Sequence, residues 1–186
     1  MMHFAVIDTE TNWYDEVMSI GVVIAEADTF EIIDSRYYII DPEYMRGGIY
    51  SAELMLTPKK MNVVKSRAKV IKDIDPWLKK HSVDGLYAYN ATFDKRHLCE
   101  LSNYNWFDIM QVAAYRQYND KIPSNAECCK TGRLKCDYGV EPMMRLLSGN
   151  KKYFETHNAL LDARDELEIM RLIGRHASRY GCAKIY

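Results

Sequence analysis

The stretch Ala5-Val6-Ile7-Asp8-Thr9-Glu10-Thr11 runs apolar and then ends on two acids two positions apart. Phe4 to Asp8 has the length and content of a buried strand. On a strand, residues i and i+2 point to the same face, so Asp8 and Glu10 project together from its carboxyl end. Carboxylates held that close repel one another unless a cation or a proton lies between them. Two readings stay open on this stretch alone: a solvated strand end running into a loop, and a cation site.

Working outward, Met18 to Ala25 is a second strand rich in β-branched residues, and Phe30 to Ile40 a loosely alternating third. The polar Glu26-Ala27-Asp28-Thr29 between them reads as a hairpin turn, and Pro42 closes the region because it lacks a ladder donor. From Asn62 the period changes. Val63, Val64, Ala68, Val70, Ile71 and Ile74 share one helical face, with Lys65, Lys69 and Lys72 opposite. Asp75-Pro76 predicts a cap and first turn for a second short helix, Pro76 to Lys80. Asp84-Gly85 turns the chain into a strand, Leu86 to Tyr89. Helical patterns follow at Phe93 to Leu101, Phe107 to Gln117, Val140 to Leu147 and Ala159 to about Arg179. Strands first, then alternating strand and helix, predict an α/β fold with a mixed sheet. The polar stretch Asn119 to Tyr138 has no period and reads as a long loop or insertion within a single domain spanning 1–186.

Composition narrows the function. Twenty-five Lys and Arg against 26 Asp and Glu give a formal net charge of −1 over 186 residues. That excludes nucleic-acid binding by bulk charge and leaves room for a local basic groove. The run Met18 to Ala25 is too short to span a bilayer, and the amino-terminal residues carry no signal-peptide pattern. Five cysteines, an odd number, fit a reducing compartment. The expectation is a cytoplasmic protein without a membrane partner.

Two further acids stand on faces that should be apolar. Asp94 shares a helical face with Leu98 and Leu101, although an acid in a first turn is also favoured by the helix dipole. Asp162 lies on the wheel between Ile169 and Ile173, while Arg164, Glu168 and Arg171 mark the solvent side. A buried, unpaired carboxylate is costly, and a metal ion removes that penalty. Asp165 stands nearer the edge of the face. His157, five residues before Asp162, would be about 140° away on a continuous helix. The two converge only if His157 lies on a turn ahead of the helix, with Thr156 or Asn158 as the cap. His3, His81, His97 and His176 carry no such context.

The ordered set Asp8-x-Glu10, Asn90-x-x-Phe93-Asp94 and His157-x-x-x-x-Asp162 resembles the DEDDh family of 3′→5′ exonucleases, which includes the epsilon subunit of bacterial DNA polymerase III, ribonuclease T and oligoribonuclease. The sister family with tyrosine would need Tyr where Asn158 stands. The resemblance implies a ribonuclease-H-like fold, a mixed five-stranded sheet flanked by helices with its first three strands antiparallel. It implies two divalent ions, Mg²⁺ or Mn²⁺, with Asp8 bridging both, Glu10 and Asp162 completing the first and Asp94 supporting the second. His157 would take a proton from the attacking water. The products would be 5′-mononucleotides cut from single-stranded DNA or RNA 3′ ends.

Thr9, Thr11, Trp13, Asn90 and Phe93 are the substrate-binding candidates. Thr9 and Thr11 offer backbone or hydroxyl contacts, and Trp13, Phe93 and Tyr14 offer rings for base stacking. The basic stretch Lys59 to Lys80 and the group Lys130, Arg133 and Lys135 could follow a phosphate backbone, with a solvated helix face the favoured reading of the first. Zinc at Cys128, Cys129 and Cys136 would need a fourth ligand, His81 or Cys182, and the spacing matches no paired cysteine signature. Alternative readings are a proofreading or repair subunit with a polymerase partner, and a non-catalytic nucleic-acid-binding module. A homodimer is also compatible, as in ribonuclease T and oligoribonuclease.

Overall fold

A computed structural model describes residues 2–186. Three long strands lead the chain: β1 (His3–Thr11), β2 (Val17–Glu26) and β3 (Ile32–Ile40). They pair antiparallel in sequence order, β1 with β2 and β2 with β3. The sheet is completed by β4 (Asn62–Lys65), β5 (Val83–Ala88), β6 (Asn105–Asp108) and β7 (Lys184–Ile185), in the order β4-β3-β2-β1-β5-β6-β7. β5 lies parallel to β1, and β6 parallel to β5. The sheet is mixed, as expected, but has seven strands rather than five. The edge strands β4 and β7 are four and two residues long, too short to leave a periodic signal.

Strand alternation separates two cores. Phe4, Val6, Val23, Tyr37 and Ile39 pack under α3 (Ile109–Ala113), α4 (Val140–Ser148) and α5 (Ala159–Ile173). Ala5, Ile7, Ile20, Val22, Ile24, Tyr38 and Ile40 pack on the other face against Val70, Ile74, Trp77 and Leu78 of α1 (Arg67–Lys80). With both faces covered, β2 is buried at every position but its last, which explains its nearly continuous apolar run around the buried Ser19.

Several boundaries differ from the sequence expectations. Residues 62–65 are not helical: Val63 and Val64 extend a strand alongside Tyr38 and Ile39, and α1 starts only after Ser66. Pro76 does not open a second helix but lies inside α1. The missing backbone donor is tolerated because burial of Ile74, Trp77 and Leu78 carries the helix through it. Phe107 belongs to β6, and the expected Phe107 to Gln117 helix shrinks to Ile109–Ala113, capped by Asp108, whose carboxylate accepts from the Met110 amide at 3.0 Å. α2 (Thr92–His97) ends before a short 3₁₀ turn at Cys99–Leu101. α5 stops at Ile173 because Gly174 takes a left-handed conformation (φ 70°), and Ala177–Ala183 form a 3₁₀ segment instead. Residues 119–138 are irregular, yet Ile122 and Leu134 anchor them in the core. Among the described residues, no helix is long and apolar enough to cross a membrane.

Candidate active site

Asp8 and Glu10 continue the face of β1 that carries Phe4 and Val6, and so look toward α5. What brings α5 close enough is Gly21, which pairs with Asp8 across β2. A Cβ at that position would sit 2.1 Å from the Ala159 carbonyl oxygen and 2.3 Å from the Leu160 nitrogen. Only a residue without a side chain lets the first turn of α5 rest on the sheet, and Asp162 follows within that turn. Asp94, in the first turn of α2, accepts a hydrogen bond from the Thr9 hydroxyl at 2.8 Å. The Thr156 hydroxyl donates to Asp162 at 3.2 Å.

His157 lies ahead of α5, on a turn with φ 52°, while Asn158 caps the helix by accepting from the Leu161 amide at 3.4 Å. This is the folded-back arrangement that the spacing requires. Ligand atoms of Glu10, His157 and Asp162 all fall within 4.8 Å of one another, and among the described residues no other group of three or more His, Cys, Asp or Glu side chains does so. The zinc reading of Cys128, Cys129 and Cys136 therefore finds no shared ligand geometry: Cys136 is exposed, and Cys128 turns toward the Ala126 carbonyl. Asp165 stands apart from the cluster and accepts from the Tyr153 hydroxyl at 2.5 Å.

The cluster is electrically uncompensated. Asp94 and Asp162 are only 2 % and 1 % exposed, yet among the described residues no ion pair reaches Asp8, Glu10, Asp94 or Asp162. One carboxylate oxygen of Asp8 and one of Asp162 are sealed from solvent with no hydrogen-bond partner. Burial, reinforced by the neighbouring Glu166, Asp94, Glu10 and Asp162, holds the Asp8 carboxyl well above its ordinary range. Burial and the adjacent Asp162 raise Glu10 to about 8. Burial is also the leading cause at Asp94, raised to about 7 and opposed by the Thr9 hydrogen bond, and at Asp162, raised to about 7 with Glu155 adding to it. Sealed carboxylate oxygens and no counter-charge fit the donor set of a hard divalent cation. His157 moves the other way: burial lowers its pKa against the opposing pull of Glu141 and Glu53, which favours the neutral imidazole.

Beside the carboxylates opens a cavity of about 390 Å³. Four of the five substrate-binding candidates, Thr9, Thr11, Trp13 and Phe93, line it together with Ile49 and Tyr50. Trp13 is 65 % exposed, so its ring is free to receive a partner. Asn90 does not line it; it is exposed, with φ 62°, and its amide donates to Asp108 at 2.9 Å. Tyr14 points to solvent.

Three contributors escaped the sequence reading. Glu166 is a further buried acid one turn beyond Asp162, accepting from the Tyr89 amide at 3.1 Å, and burial followed by Asp94 holds its carboxyl well above the ordinary range. Its i+4 spacing from Asp162 was the available signal. Gly21 could be suspected as a glycine inside a β-branched run. Tyr50, in the irregular segment after β3, had no signal at all.

Against known proteins, no family model matches the sequence and no curated protein matches it. Solved structures do match in fold. The nuclease domain of 3′hExo, a DEDDh family member bound to rAMP, superposes with a TM-score of 0.63 at 17 % identity, over 98 % of this chain and 94 % of that one. A 3′-exonuclease solved for 3′-end recognition of the histone mRNA stem-loop gives 0.62 at 16 % identity, over 98 % and 84 %. Exonuclease I of E. coli with a dT13 oligonucleotide gives 0.64 at 14 % identity, over 96 % of this chain but 42 % of that one. The chain has the fold of DEDDh-type 3′-exonucleases, the ribonuclease-H-like architecture that the resemblance implied.

Proposed function

We propose that this chain is a metal-dependent 3′→5′ exonuclease that releases 5′-mononucleotides from single-stranded DNA or RNA. The observation that carries the reading is the uncompensated carboxylate group of Asp8, Glu10, Asp94 and Asp162, with His157 beside Glu10 and Asp162, set on an exonuclease fold. Asp8, Glu10 and Asp162 would hold one divalent ion, with Asp8 and Asp94 serving a second. When bound, such ions stabilise charge on the attacking and leaving oxygens of a phosphodiester.

The chain's own residues do the rest. A ring nitrogen of His157, whose neutral form burial favours, accepts the proton of the attacking water. Thr9 holds Asp94 by its hydroxyl, and Thr156 holds Asp162. The Trp13, Tyr50 and Phe93 rings give a terminal base surfaces to stack on, without demanding a sequence. A binding module that never turned over substrate would have no use for these buried acids, which weaken the fold.

The test is an oligonucleotide labelled at its 3′ end, incubated with Mg²⁺ or Mn²⁺. Cutting from that end releases the label at once as a mononucleotide. Release of label in long fragments, or only after the rest of the strand is degraded, contradicts the proposal.

A further inference from the structure

A histidine that serves as a base works only if its ring is aimed, and such rings are usually held by a hydrogen bond from the second nitrogen to a carboxylate or carbonyl. Among the described residues, His157 has no such bond: the side-chain hydrogen bonds at this end of α5 belong to Thr156 and Asn158. His157 also lies outside the helix, on a left-handed turn, so the backbone alone leaves its side-chain torsions free. What packs against the ring is Tyr50. The two rings are stacked, with centroids 3.8 Å apart and planes within 14°.

Tyr50 is itself held. It immediately precedes the 3₁₀ turn Ser51–Met55, and that turn is tied to the base of α5 by Asn158, whose amide nitrogen donates to the Glu53 carbonyl at 2.8 Å and to the Tyr37 hydroxyl at 3.1 Å. The Tyr37 hydroxyl in turn donates to the Leu54 carbonyl at 3.1 Å. Asn158 is fully buried, so this tie is not exchanged for water. Tyr50 also lines the cavity, beside Thr9, Trp13 and Phe93.

From these contacts, and resting on the exonuclease reading above, we propose that Tyr50 is a positioning residue: its ring holds the His157 imidazole in line by stacking, and because the same ring is a wall of the nucleotide cavity, seating of the terminal nucleotide and alignment of the base depend on one side chain.

Two arms test this. In the first, imidazole C–H resonances of His157, assigned against His157→Ala, are compared in wild type, Tyr50→Phe, Tyr50→Leu and Tyr50→Ala without metal or substrate. Ring-current displacement retained in Tyr50→Phe and lost in Tyr50→Leu and Tyr50→Ala is the expected result; resonances unmoved by loss of the ring overturn the proposal. This arm does not depend on turnover, so it separates failure of the inference from failure of the exonuclease reading. In the second, kcat at saturating substrate and metal falls at least tenfold in Tyr50→Ala and Tyr50→Leu, within the roughly 10²-fold that a misplaced group costs, and Tyr50→Phe restores it. In a His157→Ala background the same replacements change kcat no further. Equal losses in both backgrounds, or full kcat in Tyr50→Leu, overturn the proposal.

Discussion

Replacing Asp94 by asparagine should make the metal-free protein more stable while removing its activity. The Asp94 carboxyl is raised from its ordinary 3.8 to about 7, chiefly by burial, with Asp108 adding to it and the Thr9 hydroxyl opposing. A carboxyl raised on folding contributes stability that is fully present below the unfolded value and lost as pH climbs through the folded one. Moving from 3.8 to about 7 therefore corresponds to about 4 kcal/mol lost by pH 8, at about 1.4 kcal/mol per tenfold change in proton affinity. Asparagine keeps an oxygen for the Thr9 hydroxyl, which donates at 2.8 Å, and carries no charge to desolvate. For a chain of this length about 4 kcal/mol corresponds to a melting temperature about 8–16 °C higher. Calorimetric melts in EDTA should show Asp94→Asn above wild type at pH 8, with the gap closing toward pH 4. Saturating Mg²⁺ should raise the wild type by about 2.7 kcal/mol at a hundred times its Kd, and the variant by less. A variant that melts at or below wild type in EDTA at pH 8 would refute the electrostatic reasoning.

Three other outcomes follow from the same geometry. Glu166→Gln keeps an acceptor for the Tyr89 amide but removes a carboxyl that can ionise beside Asp8 when a cation binds; calorimetric titration with Mn²⁺ should show affinity lower by about tenfold, or about 1.4 kcal/mol, and unchanged affinity would contradict it. Gly21→Ala drives a methyl group to 2.1 Å from the Ala159 carbonyl oxygen, so denaturant unfolding should show a loss of about 3 kcal/mol, accompanied by loss of turnover as Asp162 moves away from Asp8. Asn158→Ala strands the Glu53 carbonyl and removes the cap of α5; about 2–3 kcal/mol of stability should go, and an unchanged unfolding midpoint would count against the tie.

Much of this architecture is legible in the sequence because burial writes it there. β2 is apolar up to its last residue but for the buried Ser19, since both its faces are covered, and Asp162 betrays itself as an acid between Ile169 and Ile173 on a buried helical face, which Glu166 shares. Helix geometry required His157 to lie ahead of α5 if it was to converge with Asp162, and it does. What failed was decided by neighbours distant in the chain. Val63 and Val64 fit a helical face as well as a strand, and only the open edge of β3 selects the strand. Pro76 resembles a helix start, but packing of the residues on either side of it carries α1 through. Tyr50 matters only because Asn158, more than a hundred residues away, fastens the turn that follows it.

A gel assay of 5′-labelled single-stranded DNA and RNA with Mg²⁺ or Mn²⁺, run for wild type beside Asp8→Ala, tests the exonuclease activity most directly. A ladder that shortens from the 3′ end, and vanishes both with EDTA and in Asp8→Ala, is the predicted result. Shortening that persists in Asp8→Ala, or strands that stay intact with either metal, would contradict it.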